Sequence, residues 1–240
     1  MAQHNRDRER ELALAAGALI AAAALTVLAV RLAGAPPTAL DSRIQRRVLG
    51  ATTKRGRRMA RIISGPGYPA IYFPATALMI AALRRRGASG SDALIIASLG
   101  GWATHRFIKL FANRRRPRTM KGRSNEFEAF LSGHTTATTA IAMTAAYILA
   151  REEIVSLPIA IAIGGLVATT IGAGRVLSNE HWATDVIGGW IGGTGVAALA
   201  AMGVRAHQQS WYPRIGDFRV TLTLTGCLLE LLSKLRELRP

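Results

Sequence analysis

Long stretches without a charge, separated by short basic ones, constrain this chain more than any other feature. Leu12–Val30 and Val186–Val204 each run 19 residues uncharged, and Ile154–Gly174 runs 21. About 20 apolar residues, at roughly 1.5 Å rise each, cross the hydrocarbon core of a bilayer. Three further stretches extend the pattern. Ile62–Leu83 is uncharged but holds Pro66, Pro69 and Pro74. Its helix is expected to start near Gly67 to Ala70 with one proline inside, tolerated where neighbours satisfy the freed backbone groups. Ala93–Thr104 is too short to span alone and must run on through His105 and Lys109 to about Phe111. Ala129–Ala150 carries no charge unless His134 is protonated. The expectation is an all-α polytopic membrane protein, a six-helix transmembrane bundle with spans at about 12–31, 67–83, 91–111, 131–150, 154–174 and 184–204.

The charges fall between those stretches. There are 31 Lys and Arg against 14 Asp and Glu, a formal net charge of +17. On a soluble chain that balance points to nucleic acid. Here the basic segments flank spans, so anionic headgroups are the expected partner and nucleic acid is not. Residues 1–11 read as a cytoplasmic tail, followed by a retained first span and not a cleaved signal. Asp41 is a candidate cap for a helix beginning at Ser42. Arg43 to Arg61 interleaves basic and apolar residues and suits an interfacial helix or helix pair. Cys227 is the sole cysteine, so no intrachain disulfide forms and no cysteine-based metal site is expected. Residues 205–240 read as a tail. Alternation over Val220–Thr225 resembles a strand, but the Leu-rich, basic end favours an interfacial helix.

The polar bridge from Gly174 to Asp185 carries the chemistry. Arg175 is a permanent cation with a fork of donors. His181 can be nucleophile, base or acid near neutral pH. Asp185 lies four residues on, within reach of His181 if a helix starts there. A carboxylate on one ring nitrogen would fix the tautomer and leave the other free to attack. The plain alternative is an ordinary polar loop between two spans. Alternation of six spans weighs against it. It puts Lys109, Arg116, Ser132, His134, Arg175, His181 and Asp185 on one membrane face. Lys109 near a span end is expensive unless it snorkels or lines a wet cavity. Arg114, Arg115, Arg118, Lys121 and Arg123 are expected to be solvated or on headgroups, and Glu180 to be solvated.

These clusters resemble the type 2 phosphatidic acid phosphatase superfamily. Lys109, six residues, then Arg116-Pro117 matches its first signature. Ser132-Gly133-His134 matches the core of the second. Arg175, five residues, His181, three residues, then Asp185 matches the third. Two positions depart: Leu131 replaces the usual proline before Ser132, and Gly174 replaces the usual serine before Arg175. Leu131 is expected to lessen loop rigidity and Gly174 to remove a hydroxyl contact with phosphate. The resemblance implies an integral-membrane lipid phosphate or diphosphate phosphatase. His181 would be the nucleophile and form a phosphohistidine. His134 would be general acid and base, and Asp185 would orient His181. Lys109, Arg116, Ser132, Gly133 and Arg175 would bind phosphate. It implies no cofactor and no metal.

A site at helix ends suits a lipid entering sideways: phosphatidate, phosphatidylglycerophosphate, or an isoprenyl phosphate or diphosphate. Transfer of phosphate to a lipid acceptor is the alternative within the same chemistry. A non-catalytic protein binding anionic headgroups is the alternative outside it. The N-terminal arginines and Arg84–Arg86 fall on the side opposite the site. The positive-inside rule makes that side cytoplasmic. The expected location is then a bacterial inner membrane, with the site facing outward.

Overall fold

A computed structural model describes residues 2–117 and 126–208. The tail expected over 209–240 and the loop cations Arg118, Lys121 and Arg123 lie outside the described residues. The chain divides into two compact units, Met1–Val204 and Arg205–Pro240; of the second, only the end of the last helix is described.

Among the described residues eight α-helices follow one another: α1 (Ala2–Leu32), α2 (Ala39–Ala51), α3 (Lys54–Ile63), α4 (Pro69–Arg85), α5 (Ala93–Ala112), α6 (Gly133–Arg151), α7 (Leu157–Leu177) and α8 (Ala183–Gln208). Among the described residues there is no strand, only an isolated bridge between Arg114 and Glu128. The all-α expectation holds. Every expected span is helical, with ends displaced by a few residues except at α1. That helix begins at Ala2, so the basic N-terminal stretch continues it. α4 starts at Pro69, where a proline has no helical acceptor to lose, and keeps Pro74 inside. Three helical stretches, Arg8–Leu32, Leu157–Leu177 and Ala183–Val204, are by themselves long and apolar enough to cross a membrane.

α6 is enclosed by its neighbours, and Thr135 to Ile141 are all buried. It packs chiefly on α5 and α7. A helix walled in by protein can carry a run of threonines that a lipid-facing one could not, and this is why its apolar signal is weak. α8 reaches α6 through glycine: a Cβ on Gly193 would lie 2.7 Å from the Thr136 carbonyl oxygen and 2.6 Å from Thr139 Cβ. Small residues at such a crossing let backbones approach where lipid supplies no hydrophobic drive.

The bundle has two distinct ends. At one, Arg84 pairs with Asp92, Ser89 donates to Glu152 at 2.8 Å, and Arg151 donates to the Val204 carbonyl. The other collects the C-terminal ends of α5 and α7, the N-terminal ends of α4, α6 and α8, and the pair α2–α3. Thr38, not Asp41, caps α2; Asp41 is the third residue of that capping box and reaches further, as described below.

Candidate active site

The connection after α5 sets the first edge of the site. Asn113 is left-handed and turns the chain into an extended segment, whose alternate residues face opposite ways. Arg114 and Arg116 turn inward and are buried, while Arg115 stays exposed beside Glu126 and Phe127. The returning segment pairs with it: Arg116 N–H donates to the Glu126 carbonyl and Ala129 N–H to that of Arg114. This pins the Ala129 carbonyl where His181 meets it.

His181 lies between α7 and α8 and is 3% exposed. Its Nδ1 is 2.8 Å from the Ala129 carbonyl oxygen. A carbonyl only accepts, so Nδ1 carries the hydrogen and Nε2 keeps the lone pair. Arg116 Nη1 stands 3.2 Å from that Nε2 and also donates to the Glu180 carbonyl. Burial first, then the positive charges of Arg116, Arg175 and Lys109, hold the His181 pKa well below its ordinary value. The imidazole is therefore neutral, and basic at Nε2, across the neutral range. Asp185 comes within 3.5 Å of Nδ1, so the carboxylate is the outer partner and the Ala129 carbonyl the inner one.

One cavity of about 260 Å³ gathers most of the expected residues: Lys109, Arg116, Gly133, His134, Arg175 and His181 all line it. Arg175 is 4% exposed, and its Nε and Nη1 have no partner in the protein. His134 Nε2 is likewise buried and unpartnered. The His134 ring meets Tyr68 edge-on at 4.3 Å and leaves no room beside Gly67, where a Cβ would lie 2.7 Å from the ring's Cδ2. Ser132 and Asp185 do not line the cavity. The Ser132 hydroxyl engages Thr135 at 2.9 Å, and Asp185 stands behind His181.

Two residues, Arg114 and Glu180, depart from their expected surroundings. Arg114 is fully buried, not solvated. It donates from Nη1 to Asp185 Oδ1 and to Thr184 Oγ1, and from Nη2 to Asp41 Oδ2 at 2.7 Å. Asp41, from α2, also accepts from the Thr184 N–H at 2.9 Å. Burial alone would raise the Asp41 pKa, but the Thr184 amide, Arg114 and Thr38 bring it below the usual carboxylate value. Trp182 N–H fills the second oxygen of Asp185 at 2.8 Å. Glu180 is buried too and pairs with Arg175 inside the cavity, while Glu128 stands 3.6 Å from Lys109 Nζ. The signal for Arg114 lay in the alternation itself: if Arg116 faces inward on extended backbone, so does the residue two before it.

The departures from the resembled motifs are explained by packing. A Cβ on Gly174 would lie 2.9 Å from the Ala60 carbonyl oxygen and from Ser64 Cβ, so that position faces α3 and not the cavity. Leu131 is fully buried in a cluster with Phe130, Leu25 and Leu32.

The PAP2 superfamily model matches residues 92–209. Over that stretch, just under half of its length, the chain is similar to the PAP2 superfamily. No curated protein sequence matches it. Among solved structures, the first transmembrane PAP2-type phosphatidylglycerolphosphate phosphatase from Bacillus subtilis superposes with a TM-score of 0.63 at 20% identity. It covers 85% of this chain and 98% of its own. Aquifex aeolicus LpxE superposes at 0.52 with 24% identity, over 68% of this chain and 96% of its own. At these identities the likeness is one of fold. With three strongly apolar helices among the described residues and a transmembrane protein of the same fold, this chain is an integral membrane protein.

Proposed function

We propose that this protein is a lipid phosphate phosphatase that works through a phosphohistidine on His181. What carries the reading is the cavity itself. A neutral histidine with its lone pair on Nε2 lies among three cations, the buried Arg116 and Arg175 and the partly buried Lys109, and Arg175 has two donors without partners. Buried charge without a full set of partners is expensive and implies a ligand of opposite sign. The N-terminus of α6, at Gly133, adds amide donors and the positive end of a helix dipole.

Phosphate monoesters resist hydrolysis strongly, and transfer spreads negative charge over the three equatorial oxygens. Lys109, Arg116 and Arg175 would take those oxygens, Arg116 exchanging its bond to Nε2 for one to phosphate. Nε2 then attacks phosphorus while the bond from phosphorus to the lipid oxygen breaks. His134 gives that oxygen its proton. In the second step His134 takes a proton from water, the water oxygen attacks phosphorus, and the phosphorus–nitrogen bond breaks. Inorganic phosphate leaves and both histidines return to their starting states. Asp185 balances the charge that His181 acquires. Substrates in this class are phosphatidate, phosphatidylglycerophosphate and isoprenyl phosphates or diphosphates.

The decisive experiment measures phosphate release from a panel of lipid phosphates by the purified protein in detergent, with a chelator present. Wild type should release phosphate. His181→Ala should lose more than about 10³-fold in kcat, and His134→Asn about 10²–10⁴-fold. Unchanged turnover in His181→Ala would sink the reading.

A further inference from the structure

A second cavity, of about 310 Å³, adjoins the first and shares Tyr72 with it. It lies between α4, α6 and α7, and its lining is almost entirely apolar. It follows α6 from Thr138 to Leu149, about 16 Å of helix rise and close to the depth of one hydrocarbon leaflet, about 15 Å. Its outer lip is formed by Ile71, Met79, Ile163 and Val167, all exposed on the flank of the bundle. The groove thus starts beside the cations and opens sideways where hydrocarbon lies.

Two hydroxyls single out what would fill it. Tyr72 and Thr76 stand four residues apart on α4, so they share a face. Both line the groove, both are 4% exposed, and neither hydroxyl has a hydrogen-bond partner. A helical threonine commonly bonds the carbonyl four residues back. Thr138, across the groove, does so to His134, while Thr76 does not. Thr139 and Thr144 also lack partners but line neither cavity. Leaving a buried donor unmatched costs free energy that a ligand acceptor would recover.

We propose that this groove holds the hydrocarbon chain of an ester-linked glycerolipid phosphate, and that Tyr72 and Thr76 donate to its ester carbonyl oxygens. The inference rests on the phosphatase reading and narrows its substrate class. With the phosphate among the cations, such a lipid presents glycerol, then carbonyls, then chain. The protein presents its groups in the same order, from the histidines to Tyr72, Thr76 and the apolar lip. Ester carbonyls only accept, which suits two donors. An ether lipid keeps only its weaker ether oxygens beside the glycerol, and an isoprenyl chain brings no acceptor, so each leaves the hydroxyls poorly matched, a penalty that discriminates by chemistry and not by size.

The test compares diacylglycerol phosphate with its dialkyl ether analogue of equal chain length, using the full chain in detergent. p-Nitrophenyl phosphate serves as a substrate without a chain. Wild type should favour the ester by about 10-fold in kcat/KM. Tyr72→Phe and Thr76→Val should each reduce that ratio roughly 3-fold, mainly through KM, and the double variant should bring it near one. Ala142→Phe, which fills the groove, should lower the preference for long over short chains by about 10-fold. A wild-type ester-to-ether ratio near one, a ratio unmoved in the double variant, or a chain-length preference unmoved in Ala142→Phe overturns this proposal. In each of those cases the phosphatase reading stands, because phosphate is still released. Release from none of the three substrates overturns both.

Discussion

Arg114 is the residue on which the frame of the site turns. It stands between two carboxylates, Asp41 and Asp185, with no access to water. Removing one member of such a buried set leaves charge without compensation. Arg114→Met should therefore destabilise the protein by about 3–5 kcal/mol, read as a lower midpoint in chemical denaturation in detergent. A midpoint within error of wild type would mean the two carboxylates do not depend on it. The pH dependence follows from two depressed pKa values. His181 is held neutral when folded, whereas in the unfolded chain it takes a proton near pH 6.5. The unfolded state then binds more protons below that pH, so stability falls as pH drops beneath about 6.5. Asp41 is depressed from 3.8, so its contribution is present above that value and lost as pH falls further. The acid limb of kcat/KM should lie below pH 6.5, since Nε2 must be free to attack; a limb above it would contradict a neutral His181. Lys109, Arg116, Gly133, His134, Arg175 and His181 were legible as a group in the sequence because their spacing forms three ordered signatures. Arg114 and Glu180 were not. A run of three arginines marks Arg114 as buried only once the backbone there is known to be extended, and a glutamate beside a histidine looks the same whether it meets water or Arg175.

At the scale of the elements, uncharged run length located the long helices, and the break at Thr52–Thr53 separates the expected interfacial pair into α2 and α3. Run length could not show which helices face lipid and which face protein. α6 hides threonines inside the bundle, and α5 carries His105 and Lys109 into a cavity, so both look less apolar than spans bathed in hydrocarbon. Nor could sequence show what Gly174 meets. Serine, the usual residue there, would press its Cβ against the Ala60 carbonyl of α3. Gly174→Ser should accordingly lower stability by about 1–3 kcal/mol and reduce phosphate release, although it restores the usual signature. Thermal melting and a turnover assay on the same preparation decide the matter; a gain in both would mean α3 yields easily. At Gly193, by contrast, the sequence matches what is found: clustered glycines in an apolar run let helix backbones meet closely, here against α6.

Across the whole molecule, charge is distributed unevenly between the two ends of the bundle. Arg84, Arg85, Arg86 and Arg151 lie at the end away from the cavity. The site end carries the exposed arginines of α2 and α3. A raw count favours the site end, yet α2 and α3 are short helices at the margin and not loops of the kind that orient insertion. We propose that the far end is the cytoplasmic one, which would turn the site outward. In a Cys227→Ser background, Arg55→Cys should then react with an impermeant thiol reagent in intact cells, and Arg86→Cys only after permeabilisation. The reverse pattern would turn the protein over.

The tie between Asp41 and Arg114 bears on how much of the chain amounts to a working unit. Residues 92–209, the stretch that the superfamily model matches, contain every motif residue. They omit α2, and with it the carboxylate that meets the Arg114 guanidinium behind His181. A fragment trimmed to the motif-bearing segment would keep the full signature yet bury a cation short of half its counter-charge.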